Sequence, residues 1–327
     1  MLAIETESLT KSFTTGRGRT RREIAAVHEL SLSVAAGERL AFIGPNGAGK
    51  STSIKMLTGI LHPSSGGARV LGYVPWDERR TLGHHIGTLF GQRSQLWFEL
   101  SPRQSFALLA AIYRIEKGAA ARRIAELAEL LEAADLFDQP VRSLSLGQRM
   151  RCELAASVLH EPRVLFLDEP TIGLDLVAKQ RFRDMVTRLN EHKGTTLFLT
   201  SHDVSDIEHV AKRVVVVNHG RTIYDDKVSR MRRSILNTKL IEVRFESPPP
   251  ALVLRGTHIL KVSGAGFKLV VDTEQRSIRE VLDELLDNYQ VADISVLDPP
   301  LEEVIERIYD VSPTQGQKVQ GEKWAPT

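Results

Sequence analysis

The chain has a single cysteine, Cys152, among its 327 residues. One cysteine excludes a disulfide framework within the chain and is typical of a reducing compartment. No apolar run approaches the roughly 18 residues of a membrane-spanning helix, and the N-terminus lacks the basic and apolar regions of a secretory signal. We therefore expect a protein that stays in the cytoplasm, and any membrane pore that it serves would belong to another chain.

The sequence also lacks a strong net charge, since 43 basic and 41 acidic residues leave +2. Global electrostatics therefore favour neither nucleic acid nor acidic lipid as a partner, and we expect no nucleic-acid partner. The one local exception is a run of basic side chains between the first two expected strands: Arg17, Arg19, Arg21 and Arg22. We interpret this run as a solvated hairpin loop, with contact to anionic headgroups or to a partner's cytoplasmic face as the alternative.

Short β-branched apolar runs alternate with helical patterns through the first part of the chain, which predicts an α/β fold with a mostly parallel sheet. Buried strands are predicted at 39–43, 163–167, 195–200 and 213–217, and the segment Lys50–Leu61 is predicted as a helix. A helical block at 102–134 interrupts the strand rhythm. Residues 1–236 therefore form one predicted domain, with an inserted helical subdomain at about 93–160.

The pattern changes after this domain. Alternating apolar residues predict strands at 241–245, 267–271 and 294–296, and two helical patterns cover 278–286 and 301–308. We interpret residues 237–311 as a small α+β domain with its own core. The remaining residues, 312–327, are rich in Gln, Lys, Gly and Pro and are expected to be disordered.

A glycine-rich motif joins the first buried strand to the helix that follows it. It fits G-x-x-x-x-G-K-[ST] and consists of Gly44, Pro45, Asn46, Gly47, Ala48, Gly49, Lys50 and Ser51. Such a loop turns successive backbone N–H groups toward phosphate oxygens, and the helix adds the positive end of its dipole. The motif predicts ATP binding, with Lys50 at the β- and γ-phosphates, Ser51 on Mg²⁺ and Thr52 at the α-phosphate.

A second strand ends in two carboxylates, Asp168 and Glu169, after the apolar run 164–167. Unpaired carboxylates at the tip of a buried strand are costly, so a functional role is favoured. We predict that Asp168 holds Mg²⁺ and that Glu169 orients or deprotonates the attacking water.

The segment Leu144–Gln148 resembles the LSGGQ signature of ABC ATPases, a resemblance that covers about residues 2–225. Other elements of that family follow in order: Phe13 at the adenine-stacking position, Gln92 of the Q-loop, Gly173–Asp175 of the D-loop and the switch histidine, His202. The resemblance implies that Gln92 and His202 act at the γ-phosphate and that Gln92 also contacts the metal. It further implies that Ser145, Gly147, Gln148 and Asp175 bind nucleotide, the first two facing the nucleotide of an opposite protomer.

Two of these assignments have alternatives, and one residue of the signature departs from the family pattern. Phe13 lacks the hydroxyl of the commoner Tyr and is alternatively a core residue of its strand. His202 is alternatively a residue that caps a helix. Leu146 departs from the family pattern, which has Gly at that position, and a side chain there could crowd the opposite protomer. Because Ser145 and Gly147 are intact, we interpret Leu146 as a subfamily variant that retains the ATPase.

Four features resemble the ATP-binding subunits of type 2 ABC exporters, such as the daunorubicin-resistance and sodium-extrusion ATPases: the single-chain layout and the segments 90–102, 170–175 and 298–309. The resemblance implies a homodimer in the ATP-bound state beneath membrane permease subunits, on the cytoplasmic face of the membrane. A groove lined by Gln92–Pro102 would receive a permease helix, with Leu96, Trp97, Phe98 and Leu100 as an apolar cluster. The small C-terminal domain is expected to stabilise the dimer, with ligand sensing as the alternative.

The competing class is a non-transport ABC ATPase acting in translation or DNA repair. Such translation factors carry two ATPase domains on one chain, and the repair enzymes insert long coiled coils between the P-loop and the signature. Here Lys50 and Ser145 are 95 residues apart, without a long heptad run. An inactive binding module conflicts with the presence of Lys50, Asp168, Glu169 and His202.

Overall fold

The computed structural model describes residues 1–15, 22–91, 93–231, 238–249, 252, 254–273, 275–297 and 305. Several predictions concern residues outside this set: Arg17, Arg19, Arg21, Gln92, the last helix apart from Ile305, and the tail 312–327. The described residues divide into two compact units, one comprising Met1–Asp225 and the other beginning at Asp226. The division into domains at about residue 236 stays a prediction.

The first unit contains two sheets and the helices that pack on them. Its strands are β1 (Leu2–Thr15), β2 (Arg22–Ala35), β3 (Arg39–Ile43), β4 (Ser65–Val70), β5 (Ile86–Phe90), β6 (Val164–Asp168), β7 (Thr196–Thr200), β8 (Arg213–Asn218) and β9 (Arg221–Lys227), the last of which ends just past the boundary. Its helices are α1 (Lys50–Leu57), α2 (Arg79–Leu82), α3 (Pro102–Ile112), α4 (Lys117–Leu130), α5 (Leu146–Val158), α6 (Leu176–Lys193) and α7 (Val204–Val210).

The larger sheet has the strand order β5-β6-β7-β3-β8-β9, and strands β5, β6, β7, β3 and β8 pair in parallel. The mostly parallel α/β sheet predicted from the sequence is therefore confirmed. Parallel strands end at one edge of the sheet, which is where ligands bind in folds of this kind. The carboxyl ends of β3, β7 and β6 are adjacent in that order, so the loops after them meet at this edge.

A second, antiparallel sheet has the order β2-β1-β4 and carries the N-terminal part of the chain. Its buried side chains share one core with α1 and the central strands, including Ile4, Leu9, Val34 and Phe42.

The helical block predicted at 102–134 consists of two helices, α3 and α4, with short 3₁₀ turns after them. The helical conformation is interrupted at Arg114, whose φ of 57° is left-handed. Glu116 then caps α4, because its carboxylate accepts hydrogen bonds from Gly118 N and Ala119 N. Helix α1 is also shorter than predicted. It ends at Leu57, since Gly59 adopts a φ of 70°.

The second unit holds the strands β10 (Thr238–Phe245), β11 (Thr257–Ser263), β12 (Gly266–Asp272) and β13 (Val291–Leu297), with the helix α8 (Ile278–Asn288). The strands form one antiparallel sheet, ordered β11-β12-β10-β13, whose core includes Ile241, Val243, Val281 and Leu285. Strand β11 is absent from the sequence prediction. A register shift between Ile259 and Lys261 interrupts the alternation that would have indicated it.

Within the described ranges, no helix combines the length and apolar character needed to cross a bilayer.

The single cysteine is fully buried, and burial raises the pKa of the Cys152 thiol to about 12.

His160 provides a testable link between packing and pH. Its ring stacks on Tyr113 with centroids 3.9 Å apart, and its Nε2 lies 2.9 Å from the carbonyl oxygen of Ile86. Burial lowers the pKa of His160 to about 4, whereas an unfolded histidine has a pKa near 6.5. The unfolded chain therefore binds a proton that the folded chain does not, and stability falls as the pH decreases from about 6.5 toward 4.

We expect His160→Gln to remove this part of the pH dependence. Over that window the wild-type protein should lose on the order of 1–3 kcal/mol of unfolding free energy more than the variant. Urea unfolding at about pH 7.5, 6 and 5 measures the difference. Equal slopes for the two proteins would contradict the assignment.

Candidate active site

The glycine-rich loop connects β3 to α1 at the edge where the parallel strands end. Gly49 has a φ of 101°, and a Cβ there would lie 2.3 Å from the carbonyl oxygen of Ala26, so only glycine fits. Lys50 is 6% exposed, and its Nζ donates to the carbonyl oxygens of Gly44 at 2.7 Å and Pro45 at 3.3 Å. The lysine ammonium is thus held across the loop rather than extended into solvent.

The two carboxylates at the end of β6 are fixed by their neighbours. Asp168 Oδ1 accepts from Ser51 Oγ at 3.1 Å and from Thr200 Oγ1 at 2.6 Å. Glu169 has a left-handed φ of 50°, an uncommon conformation for a residue with a side chain. Its backbone N–H donates to the carbonyl and to the hydroxyl oxygen of Thr200, each at 3.1 Å. These bonds hold Glu169 in the strained conformation that places its side chain.

The Glu169 carboxylate lies between the Lys50 ammonium and the His202 ring. Its Oε1 is 3.6 Å from Lys50 Nζ, and its Oε2 accepts from His202 Nδ1 at 2.7 Å. Because Nδ1 donates to the carboxylate, Nε2 of His202 remains available to a ligand. The Glu169 side chain is 21% exposed and that of His202 is 60% exposed, so both are accessible from solvent.

These residues surround one cavity of about 1090 Å³. Its walls include Gly44, Pro45, Asn46, Gly47, Gly49, Lys50, Ser51, Thr52, Asp168, Glu169 and His202. Ala48 is buried in the core beneath the loop. A cavity of this size accommodates a nucleotide. Lys50, Ser51, Asp168, Glu169 and His202 therefore converge on one space, although they are spread over the chain.

Phe13 lies on the hairpin of β1 and β2, outside the residues that line the cavity. It sits on β1 opposite Ile24 on β2 and is 39% exposed, with Lys11 Nζ 5.4 Å from the ring centroid. Among the described residues of this hairpin, Ala26 lines the cavity and Phe13 does not. The ring is partly exposed, and its role in stacking on adenine stays a prediction.

The signature residues lie elsewhere. Ser145, Gly147, Gln148 and Asp175 line a separate pocket of about 250 Å³ at the N-termini of α5 and α6. Ser145 begins α5 with a capping box, in which its Oγ accepts from Gln148 N and Gln148 Oε1 accepts from Ser145 N. Asp175 caps α6 by accepting from Ala178 N at 2.8 Å. None of these four residues lines the larger cavity in the described part of the chain.

Leu146 packs within its own chain. It is partly buried against the core of the helical subdomain. A Cβ placed on Gly173 would lie 3.2 Å from Leu146 Cδ2, so the leucine reaches the D-loop. This contact within the chain occupies part of the Leu146 side chain, so the whole side chain is not available to face an opposite protomer.

Two supporting residues are missing from the sequence prediction. Thr200 forms hydrogen bonds with both Asp168 and Glu169. The one feature of the sequence that could have indicated this role is its position as the last residue of the neighbouring strand. Glu153 on α5 is 4% exposed, and its carboxylate accepts from Ser94 Oγ and from Gln95 N. Burial raises the pKa of the Glu153 carboxyl group, against the effect of these hydrogen bonds. Glu153 thereby ties α5 to the segment that follows Gln92, a contact that spacing along the chain does not indicate.

Comparison with known proteins identifies the arrangement. Residues 27–172 match the family described as ABC transporter. The daunorubicin/doxorubicin resistance ATP-binding protein DrrA of Streptomyces peucetius is 34% identical over 243 residues, which are 74% of this chain and 70% of that protein. The chain belongs to the ABC transporter ATP-binding family. The similarity to DrrA confirms the resemblance to the daunorubicin-resistance ATPases.

Other ABC relatives match beyond the ATPase motifs. YhcH of Bacillus subtilis, an uncharacterized ABC transporter ATP-binding protein, is 29% identical over 92% of this chain and 93% of its own. Among solved structures, cbiO1 from Clostridium perfringens has a TM-score of 0.62 at 25% identity, covering 72% of this chain and 94% of its own. The cassette MJ0796, described as a dimer bound to ADP and Pi, has a TM-score of 0.61 at 22% identity, covering 69% and 98%. The ABC ATPase fold expected from the motifs is confirmed.

Proposed function

We propose that this ABC chain binds and hydrolyses ATP as a homodimer and thereby powers a type 2 exporter from the cytoplasmic face of the membrane. The observation that supports this most is the separation of its two nucleotide-related pockets. One holds Lys50, Asp168 and Glu169, and the other holds Ser145 and Gly147. Since the signature residues do not line their own chain's nucleotide cavity, a second copy would supply them and complete each site.

The chemistry follows from the contacts of Glu169. Its carboxylate is oriented by His202 and faces the Lys50 ammonium, which suits a group that positions water and accepts its proton at the γ-phosphate. Lys50 would neutralise charge that develops on the transferred phosphoryl oxygens. The free Nε2 of His202 would contact the γ-phosphate and keep the water in line.

The residues present also fit Mg²⁺. Ser51 Oγ and Asp168 Oδ1 converge to 3.1 Å, and hard oxygen donors beside a phosphate are what this ion prefers. Ser51 and Asp168 would hold the ion, together with the predicted ligand Gln92. A bound Mg²⁺ would supply positive charge that offsets the negative charge of the phosphate groups.

Membrane permease subunits are the proposed partners, and the segment after the Q-loop is the proposed contact. The backbone of this segment is anchored in the helical subdomain: Phe98 O accepts from Arg142 N, and Leu100 O accepts from Val141 N. Leu96 is buried, whereas Trp97 and Phe98 remain 42% and 51% exposed. Adjacent exposed aromatic side chains on an anchored backbone are typical of a contact surface.

Replacing both Trp97 and Phe98 with Ser should abolish co-purification with the permease while leaving the melting temperature and the ATPase rate of the isolated chain unchanged. The reason is that exposed side chains contribute little to folding but much to an interface. Pull-down from detergent-solubilised membranes, combined with a thermal melt, measures both properties.

A matched control is Ile259→Ser with Val262→Ser, which removes apolar residues of similar exposure from the second unit. That variant should still co-purify. A Trp97/Phe98 variant that melts at a markedly lower temperature would show that the two side chains serve internal packing instead.

A further inference from the structure

A buried carboxylate outside the predicted site joins the two loops that carry Glu169 and His202. Asp206, on α7, is 1% exposed. Its Oδ2 accepts from Thr171 Oγ1 at 2.5 Å and from Ser201 Oγ at 2.7 Å. Its Oδ1 accepts from Arg183 Nε at 2.6 Å. All these partners are themselves buried, and Arg183 also pairs with the partly exposed Asp203, whose Oδ2 lies 3.3 Å from Arg183 Nη2.

The two hydroxyl groups of the network belong to residues close in sequence to Glu169 and His202. Thr171 stands two residues after Glu169, and Ser201 directly precedes His202. Strands β6 and β7 pair in register as far as Asp168 and Thr200, where the ladder ends. Beyond that point the two loops leave the sheet, and the Asp206 carboxylate connects them through Thr171 and Ser201. The 2.7 Å contact between Glu169 and His202 depends on the relative position of these loops.

Arg183, whose side chain is 4% exposed, offsets the negative charge of the buried Asp206 carboxylate. A buried ion pair contributes little net stability compared with apolar packing, but its hydrogen bonds fix positions closely. Asp206 is also not needed to begin α7, because Asp203 caps that helix by accepting from Ser205 N. Its bonds to Thr171 and Ser201 therefore have no evident role in the helix itself.

We propose that Asp206 is a positioning residue for ATP hydrolysis, holding Glu169 and His202 in register through the hydroxyl groups of Thr171 and Ser201. The proposal rests on the proposed ATPase function. Small displacements of reacting groups cost about 10²-fold in rate for a shift of roughly 1 Å, so loosening this link should lower the turnover number more than it weakens nucleotide binding.

The test is Thr171→Val in the full-length protein, since valine preserves the shape of threonine and leaves the Arg183–Asp206 pair intact. We expect kcat to fall by about 10- to 10²-fold, with the KM for ATP and the melting temperature close to wild type. Thr171→Ser, which restores the hydroxyl, should recover most of the rate. The ring signal of His202 in NMR spectra, assigned by its loss in His202→Gln, should shift in Thr171→Val and return in Thr171→Ser.

The matched control is His209→Ala. His209 also joins α7 to α6, through a 2.7 Å contact of its Nε2 with Asp184 Oδ1, and the hydrogen bonds described for these two residues do not reach Thr171, Ser201, Arg183 or Asp206. Its kcat should stay close to wild type. Wild-type kcat and an unshifted His202 signal in Thr171→Val would overturn the proposal. A failure of Thr171→Ser to restore the rate, or an equal loss in His209→Ala, would overturn it as well. A wild-type protein that does not hydrolyse ATP would refute the proposed function. In that case the His202 ring signal, compared between wild type and Thr171→Val, would still test whether the network positions His202.

Discussion

Replacing Lys50 with Ala will abolish ATP hydrolysis. In the structure the Lys50 ammonium is held by the carbonyl oxygens of Gly44 and Pro45 and lies 3.6 Å from Glu169. Its removal takes away the cation that would balance the transferred phosphoryl group and leaves Glu169 without that charge partner. Loss of a single such group costs about 10²–10³ in kcat, so steady-state phosphate release should fall to background. Turnover as high as a third of wild type would refute the role.

Two companion variants separate position from charge. Lys50→Arg keeps the charge, but a planar guanidinium does not fit where a compact ammonium is enclosed, so we expect it to be nearly as inactive. Lys55→Ala removes another cation from the wall of the same cavity, and we expect a loss of less than about tenfold, because general electrostatics are weaker than a direct contact. Equal losses in Lys50→Ala and Lys55→Ala would show that the cavity's overall charge matters more than the site of Lys50.

Glu169→Gln is expected to slow the chemical step by about 10²–10⁴, as is typical when a general base is removed. Glutamine keeps the volume, and its amide oxygen can still accept from His202 Nδ1. The local fold should therefore survive. ATP binding should persist and tighten, because an anion facing the γ-phosphate is gone while Lys50 and Ser51 remain. Single-turnover kinetics with a nucleotide-binding assay measures both effects.

The same variant tests the composite site. If Ser145 and Gly147 of each chain contact the nucleotide of the other, Glu169→Gln with Mg-ATP should form a dimer in light scattering that dissociates when ADP replaces ATP. Asp168→Asn is the control, because it removes the carboxylate that faces Ser51 and should lose Mg²⁺-dependent affinity as well as activity.

The possible outcomes for Glu169→Gln lead to different conclusions. Normal turnover would place the base elsewhere, with His202 as the next candidate. An inactive protein that stays monomeric with ATP would leave the assignment of Glu169 intact and contradict the composite site. Leu146→Gly would then be the variant to examine, although the packing of Leu146 against Gly173 gives it a place within its own chain.

Local sequence was sufficient for the elements of the nucleotide cavity. The motif at 44–51 encodes its own loop, because glycine permits a φ that other residues avoid and the strand and helix on either side follow from their apolar patterns. Asp168 and Glu169 are similarly marked by their place at the end of an apolar strand. These signals are local, and the structure brings the residues that they mark into one cavity.

Contacts between distant segments were not accessible in this way. The sequence does not show that Thr200 bonds both carboxylates, that Glu153 holds the segment after the Q-loop, or that Asp206 links Thr171 to Ser201. Each is a polar residue whose partners are fixed by strand order and helix packing, and a single sequence carries no record of either. The break of the helical block at Arg114 and the strand β11 were missed for a related reason, because a left-handed residue and a register shift leave weak patterns.

The sequence by itself determined the fold class, the family and the residues of the ATPase motifs, because these depend on periodicity and on short spacings along the chain. Only the tertiary structure decided how the motifs are distributed in space. It separates Ser145 and Gly147 from the cavity of Lys50 and Glu169, and it leaves Trp97 and Phe98 exposed while burying Leu96. The physical reason is that burial and proximity arise from the packing of whole elements against one another, where the order β6-β7-β3 sets which loops meet.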